Sequence, residues 1–193
     1  MGGAGDLRMI RVAWGITGCG DRIEETFATM KEVSLRYDMD ITAYLSKNGE
    51  LVMKWYKLWR DLNETFPNPS VEYGANSPFV VGKLQTGKFD LFLVCPMSAN
   101  TTAKIAHGIA DSLLTNAVAQ AVKARIPTYV YPADQSEGEI TTILPNGNEM
   151  TLYMRDVDIE NANRLKRMRD LTVLTSVSEI AEVVKRHSED AGE

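Results

Sequence analysis

Cysteine and histidine are scarce in this 193-residue chain, with two of each: Cys19, Cys95, His107 and His187. Two distant cysteines make no disulfide framework. They also form no CxxC pair, which argues against a zinc ribbon or a cysteine-ligated iron–sulfur cluster. Two histidines leave almost nothing for a histidine-rich metal site, so no metal is expected. Positive charge is not in excess: 21 Lys and Arg face 26 Asp and Glu, for a net charge of −5. That balance disfavours general binding to nucleic acid or to an anionic membrane. No apolar run approaches the roughly 18 residues that span a bilayer. The Gly-rich first eight residues lack a hydrophobic signal region. A reducing cytoplasm is the expected compartment.

What is present is ordinary globular material: 44% apolar and 24% charged residues, which excludes a disordered or fibrous chain. The length fits one domain. Residues 1–8 are expected to form a flexible leader, 9–187 a single domain and 188–193 a frayed tail. Apolar runs at Ile10 to Gly15, Met39 to Leu45, Phe89 to Cys95 and Pro127 to Tyr131 read as strands. Short strands are expected near Val71 to Tyr73 and Leu171 to Leu174. Helical spacing begins at Asp21. A long helix is expected from Ser46 to about Phe66, another opening at Pro78, and a third over Thr101 to Arg125 with a break at Gly108. Pro145-Asn146-Gly147-Asn148 reads as the turn of a hairpin within Ile140 to Tyr153. Charged and apolar patterns predict closing helices over Asp158 to Arg169 and Val177 to Arg186.

Strands alternate with helices, and the central strands are continuously apolar. Both features point to an α/β protein, a three-layer α/β/α sandwich with a mostly parallel sheet, flavodoxin- or Rossmann-like. In such folds ligands bind beyond the carboxyl ends of the strands. After the first strand comes Gly15-Ile16-Thr17-Gly18-Cys19-Gly20, a Gly-rich turn into a helix that suits a phosphate. Its spacing is neither the dinucleotide fingerprint nor the P-loop. Ser46, after the second strand, is either a phosphate donor or a helix N-cap. After the third strand, Pro96-Met97-Ser98-Ala99-Asn100-Thr101-Thr102 combines small residues with uncharged hydrogen-bonding groups. A planar heterocycle is bound by such a surface.

Pro96-Met97-Ser98-Ala99-Asn100-Thr101 resembles the PASANT motif of the homo-oligomeric flavin-containing cysteine decarboxylase superfamily. Lys104 to Thr115 resembles that family's KIANGIADNLLT run, and Gly15-Ile16-Thr17-Gly18 and Ser46 match as well. Within the superfamily the pattern is most similar to the archaeal flavoproteins, with dihydromethanopterin reductases close by. The resemblance implies bound FMN, with Thr17, Gly18 and Ser46 holding the phosphate and Ser98, Ala99, Asn100 and Thr101 lining the ring. Gly15, Ile16, Pro96, Met97 and Thr102 are implied to belong to the same cofactor-binding set. It further implies electron transfer or redox chemistry, ferredoxin or a similar electron donor, and a homotrimer or a multiple of trimers. Reduction of a pterin is the alternative. A flavin-dependent decarboxylase or a non-catalytic nucleotide-binding module stands further off.

There are departures from the family pattern. Met97 replaces the usual alanine. The decarboxylases' PxMNxxMW clamp has no match, the nearest segment being Pro145 to Met150, and residues 47–66 lack the decarboxylases' histidine. The phosphate loop carries no Lys or Arg, and Asp21 lies directly beyond it, so Lys47 or Arg22 is the expected counter-charge. Leu51, Trp55, Leu58 and Leu62 form a stripe that reads as core, widened by Val52, Tyr56 and Trp59 into a subunit contact or flavin cover. Cys19 and His107 read as packing and structural residues, and Asp111 as an N-cap.

Overall fold

Seven consecutive buried residues, Leu91–Met97, form one strand of the sheet. A strand with both faces covered belongs at the centre of a parallel sheet. The computed structural model describes residues 9–190. The first half of the chain runs β1 (Ile10–Ile16), α1 (Ile23–Arg36), β2 (Met39–Leu45), α2 (Lys47–Trp55), α3 (Trp59–Thr65), β3 (Ser70–Val71) and α4 (Val80–Gln85). The central strand β4 (Leu91–Met97) follows, then α5 (Ala99–Ala106), α6 (Leu113–Lys123) and β5 (Thr128–Pro132). The chain closes with the hairpin β6 (Glu139–Ile143) and β7 (Glu149–Tyr153), then α7 (Asp156–Lys166), β8 (Thr172–Val173) and α8 (Glu179–Asp190).

The six-stranded sheet has the order β3-β2-β1-β4-β5-β8, and all its pairings are parallel. This is the doubly wound pattern, with its topological switch between β1 and β4. Trp14, Phe27, Met30, Met53, Leu62 and Val183 fill one face, joining α1, α2, α3 and α8 to the sheet. Val94, Leu84, Leu114, Val118 and Leu165 fill the other, under α4, α6 and α7. Trp14 meets Phe66 edge-to-face at 5.4 Å and donates its indole N–H to the Cys95 carbonyl at 2.8 Å.

Several boundaries differ from those the sequence predicts. The expected Ser46–Phe66 helix is two helices. Lys57 adopts φ 62°, and Leu58 N–H closes back on the Met53 carbonyl at 2.9 Å. The break splits the expected stripe: Leu51 and Trp55 are 63% and 62% exposed, while Met53 and Leu62 are buried. The next helix opens at Val80 rather than Pro78, because residues 73–77 close a turn in which Ser77 N–H donates to Gly74 O at 3.0 Å. Pro96 does not end its strand. The ladder continues to Met97 with a register shift after Val94, as expected where a residue has no N–H. The last helix carries on through residues 188–190, expected to be frayed. The leader 1–8 and residues 191–193 lie outside the described residues.

Candidate functional site

Thr17 ties the ends of β1 and β4 together. Its hydroxyl donates to the Pro96 carbonyl at 3.0 Å and accepts the Ser98 N–H at 2.8 Å. Ser46 N–H donates to the Ile16 carbonyl at 3.0 Å, which ties in β2. Two helices then start side by side. Ser46 caps α2 by accepting the Gly49 N–H at 2.9 Å. Ser98 caps α5 by accepting the Thr101 N–H at 3.4 Å. The first N–H groups of a helix have no partner within it, and its N-terminus carries partial positive charge. An anion is therefore favoured between α2 and α5. Each capping serine uses its oxygen to accept and keeps its hydroxyl proton for a ligand or neighbour.

The β1 loop lies very close to α2. A Cβ on Gly18 would fall 2.5 Å from Asn48 Cβ, and one on Gly49 would collide with the Ile16 carbonyl oxygen. Glycine at these positions lets the loop and the helix start share one surface. A polar cavity of about 370 Å³ opens there, lined by Gly18, Ser46, Lys47, Asn48, Ser98, Asn100, Thr101, Lys104, Glu72 and Ser112. Lys104 is salt-bridged to Asp111 at 2.9 Å. Glu72 accepts the Leu113 N–H at 2.8 Å. Arg22, the other expected counter-charge, pairs with Glu25 at 3.2 Å instead.

A second cavity of about 680 Å³ shares Gly18, Ser98 and Asn100 with the first. Its walls are largely apolar: Ala99 from α5, Val52 and Trp55 from α2, and Ile140, Leu144, Met150 and Leu152 from the hairpin segment. Tyr56 anchors that hairpin by donating its hydroxyl to the Ile143 carbonyl at 3.0 Å. Cys19, Asp21, Asp134 and Arg155 complete the lining. Burial, then the neighbouring Asp21 and Asp134, push the Cys19 thiol up to about 12, so it stays a thiol. Burial, the largest cause, raises the pKa of Asp21 and of Asp134 from the ordinary aspartate value.

Gly18, Ser46, Ser98, Ala99, Asn100 and Thr101 thus come together on two joined cavities. Gly15, Ile16, Thr17, Pro96, Met97 and Thr102 do not line either one. Gly15 packs against Leu114 and Val94, and Ile16, Thr17, Met97 and Thr102 are buried behind the surface. Thr17 spends its hydroxyl on the two strand ends. His107 sits apart, its ring 3.1 Å from Asn161 Oδ1, in a different cavity with Arg164 and Arg167. Ser112 rather than Asp111 caps α6. Sequence reasoning missed Lys104, Glu72, Asp134 and the hairpin wall. Asp134 carried a usable signal, since it lies two residues beyond a strand end.

The flavoprotein family model matches residues 5–192. An uncharacterized protein of Methanocaldococcus jannaschii is 55% identical over 181 residues, 94% of this chain and 97% of that protein. The dihydromethanopterin reductase (acceptor) of Methanosarcina mazei is 40% identical over 145 residues. That match covers 70% of this chain and 59% of the reductase, so it leaves a large part of the reductase unmatched. Among solved structures, Burkholderia xenovorans DmrB in complex with FMN, described as a cubic protein cage for redox transfer, superposes with a TM-score of 0.77. The two are 28% identical, over 94% of this chain and 96% of DmrB.

Proposed function

The chain belongs to the flavoprotein family, and from that premise we propose that it binds FMN at the switch point of its sheet and serves as a redox protein. The phosphate occupies the polar cavity, held by the first-turn amides of α2 and α5 and by the hydroxyls of Ser46 and Ser98. Lys47 supplies positive charge there, while Lys104 is held by Asp111 at the rim. The ring occupies the apolar cavity along Ala99 and Asn100, with Val52, Trp55 and the β6–β7 hairpin excluding water. Gly15, Ile16, Thr17, Pro96, Met97 and Thr102 fix the strand ends from behind. Bound FMN supplies a centre that takes up and passes on one or two electrons.

The observation that carries this reading is the shared wall. Gly18, Ser98 and Asn100 border both cavities, so a polar compartment at two helix N-termini opens directly into an apolar one. A ligand with an anionic end and an apolar ring fits that sequence of environments. DmrB, similar over nearly the whole chain, is an FMN complex.

Electrons arrive from ferredoxin or a similar donor, and the active form is a homotrimer or a multiple of trimers in the cytoplasm. Among the described residues no helix is long and apolar enough to cross a membrane. A second reading, reduction of a pterin, is favoured by the volume of the apolar cavity. At about 680 Å³ it has the size of a whole small-molecule site on its own. Anaerobic titration of the FMN-loaded protein with reduced ferredoxin, NADH and NADPH tests the donor. Bleaching by ferredoxin alone is expected, and bleaching by NADH or NADPH alone would replace it. Sedimentation as a monomer would contradict the trimer.

A further inference from the structure

A separate polar cavity of about 300 Å³ lies against α5 and α7, lined by His107, Glu160, Asn161, Asn163, Arg164 and Arg167. It shares no residue with the two cavities at the sheet's switch point. Ser98 caps the start of α5 and His107 its end, and the helix between them rises about 12 Å. Asn161 is only 6% exposed. Its Oδ1 accepts from His107 Nε2 at 3.1 Å, since an amide oxygen can only accept. Its amide nitrogen has no partner among the described residues and is not sealed from solvent. Two N–H groups are therefore left for the cavity. The cations beside it are free as well. Arg164, Lys166, Arg167 and Arg169 follow one another closely, and among the described residues none of them is in an ion pair. Glu160 stands one turn before Arg164, the spacing at which Glu50 pairs with Lys54, and still leaves it unpaired. Arg164 and Arg167 share one helix face. The ends of α5 and α7 carry partial negative charge, but their last carbonyls are already met. His107 N–H serves Ala103 and Lys104, Gly108 N–H serves Ile105, and Arg167 N–H serves Arg164.

We propose that this cavity is an anion site, separate from the flavin site, that binds the phosphate group of a small phosphomonoester. Arg164 and Arg167 offer forked guanidinium donors to the phosphate oxygens. Asn161 donates an amide N–H from the cavity wall, and its bond to His107 fixes which way that amide turns. These donors exceed what the two oxygens of a carboxylate accept. A phosphate monoester brings three acceptor oxygens and close to two negative charges at neutral pH. A neutral amide at the buried position also suits a site that empties, because a buried charge left without its ligand is costly. Glu160 is the acid of the lining, placed to accept a hydroxyl of the ligand's organic part. At about 300 Å³ the volume stands at the lower limit of small-molecule sites. It admits a phosphate with a short polar body and is too small for FMN.

The test is calorimetric titration with glycerol 3-phosphate, inorganic phosphate and glycerol, each with and without saturating FMN. Saturable binding of glycerol 3-phosphate is expected, unchanged by FMN, with inorganic phosphate weaker and glycerol silent. Arg164→Gln and Arg167→Gln are each expected to weaken it roughly ten- to hundredfold. Both arginines are exposed, so an unchanged thermal melt is expected to show that these variants keep the fold. Asn161→Asp retains the oxygen that faces His107 but replaces the donors with an acceptor, and is expected to abolish binding. No saturable heat at millimolar ester overturns the inference, as does undiminished binding by the Arg164→Gln, Arg167→Gln double variant. Inorganic phosphate that binds as tightly as the ester overturns the assignment to a phosphomonoester. Binding that FMN abolishes belongs to the cavity between α2 and α5 and overturns the separate site. A protein that takes up no FMN but binds the ester through Arg164 and Arg167 upholds this inference and overturns the flavin reading alone.

Discussion

The Thr17 hydroxyl accepts the Ser98 N–H at 2.8 Å, and through this bond the loop that opens α1 and the loop that opens α5 hold a fixed spacing. Its proton goes to the Pro96 carbonyl at 3.0 Å, so one buried side chain satisfies two backbone groups. Thr17→Val removes both bonds while keeping the volume. Leaving the Ser98 N–H unpaired is expected to cost about 1–3 kcal/mol, read by urea denaturation. Thr17→Ser is expected to retain most of it.

Ser46 separates capping from ligand binding. Ser46→Ala removes the acceptor for Gly49 N–H and is expected to cost about 1 kcal/mol of stability. If the same hydroxyl also donates to the phosphate, the variant weakens FMN binding by roughly tenfold, the value of about 1.4 kcal/mol. Riboflavin, which lacks the phosphate, is bound equally by both proteins. Equilibrium titration with the two flavins gives the comparison.

Gly18 marks the closest approach of loop and helix. Gly18→Ala places a methyl 2.5 Å from Asn48 Cβ, and overpacking of this kind costs about 1–3 kcal/mol. The expected result is a lower Tm together with weaker FMN binding. The double variant Gly18→Ala, Asn48→Gly is expected to recover part of both.

Asp134 links stability to pH. Burial and like charge raise its folded-state pKa above the ordinary aspartate value. The folded protein therefore binds this proton more tightly than the unfolded chain does. Stability from this group is present below the unfolded value of about 3.9 and is lost as pH rises through the folded one. Asp134→Asn is thus expected to raise Tm at neutral pH, with the gain shrinking as pH falls toward 4. Paired thermal melts at the two pH values check the sign.

The residues that line the two cavities at the sheet's switch point were legible where they lie at strand ends and carry their chemistry locally. Gly18, Ser46 and the run Ser98 to Thr101 are small or hydroxylic residues directly after continuous apolar strands, and a parallel sheet brings such ends together. Thr17 was expected beside the phosphate, and in the structure its hydroxyl bonds the Pro96 carbonyl and the Ser98 N–H. Whether a hydroxyl faces a ligand or a neighbouring strand depends on the β1–β4 spacing, which sequence does not display. The turn at Pro145 to Asn148 announced a hairpin. That its Ile140, Met150 and Leu152 would wall a cavity against α2 is a contact between segments some ninety residues apart, set by the Tyr56–Ile143 bond. The break at Lys57 was hidden because a positive φ at a lysine has no signature in the sequence, and with it went the exposure of Trp55.

Titration of the purified protein with FMN, followed by visible absorbance and flavin fluorescence, bears most directly on the central claim. The expected result is saturable uptake of one flavin per chain, with a shifted, structured absorbance band and quenched fluorescence as the ring enters the apolar cavity. A colourless protein that leaves the spectrum and fluorescence of added FMN unchanged would contradict it.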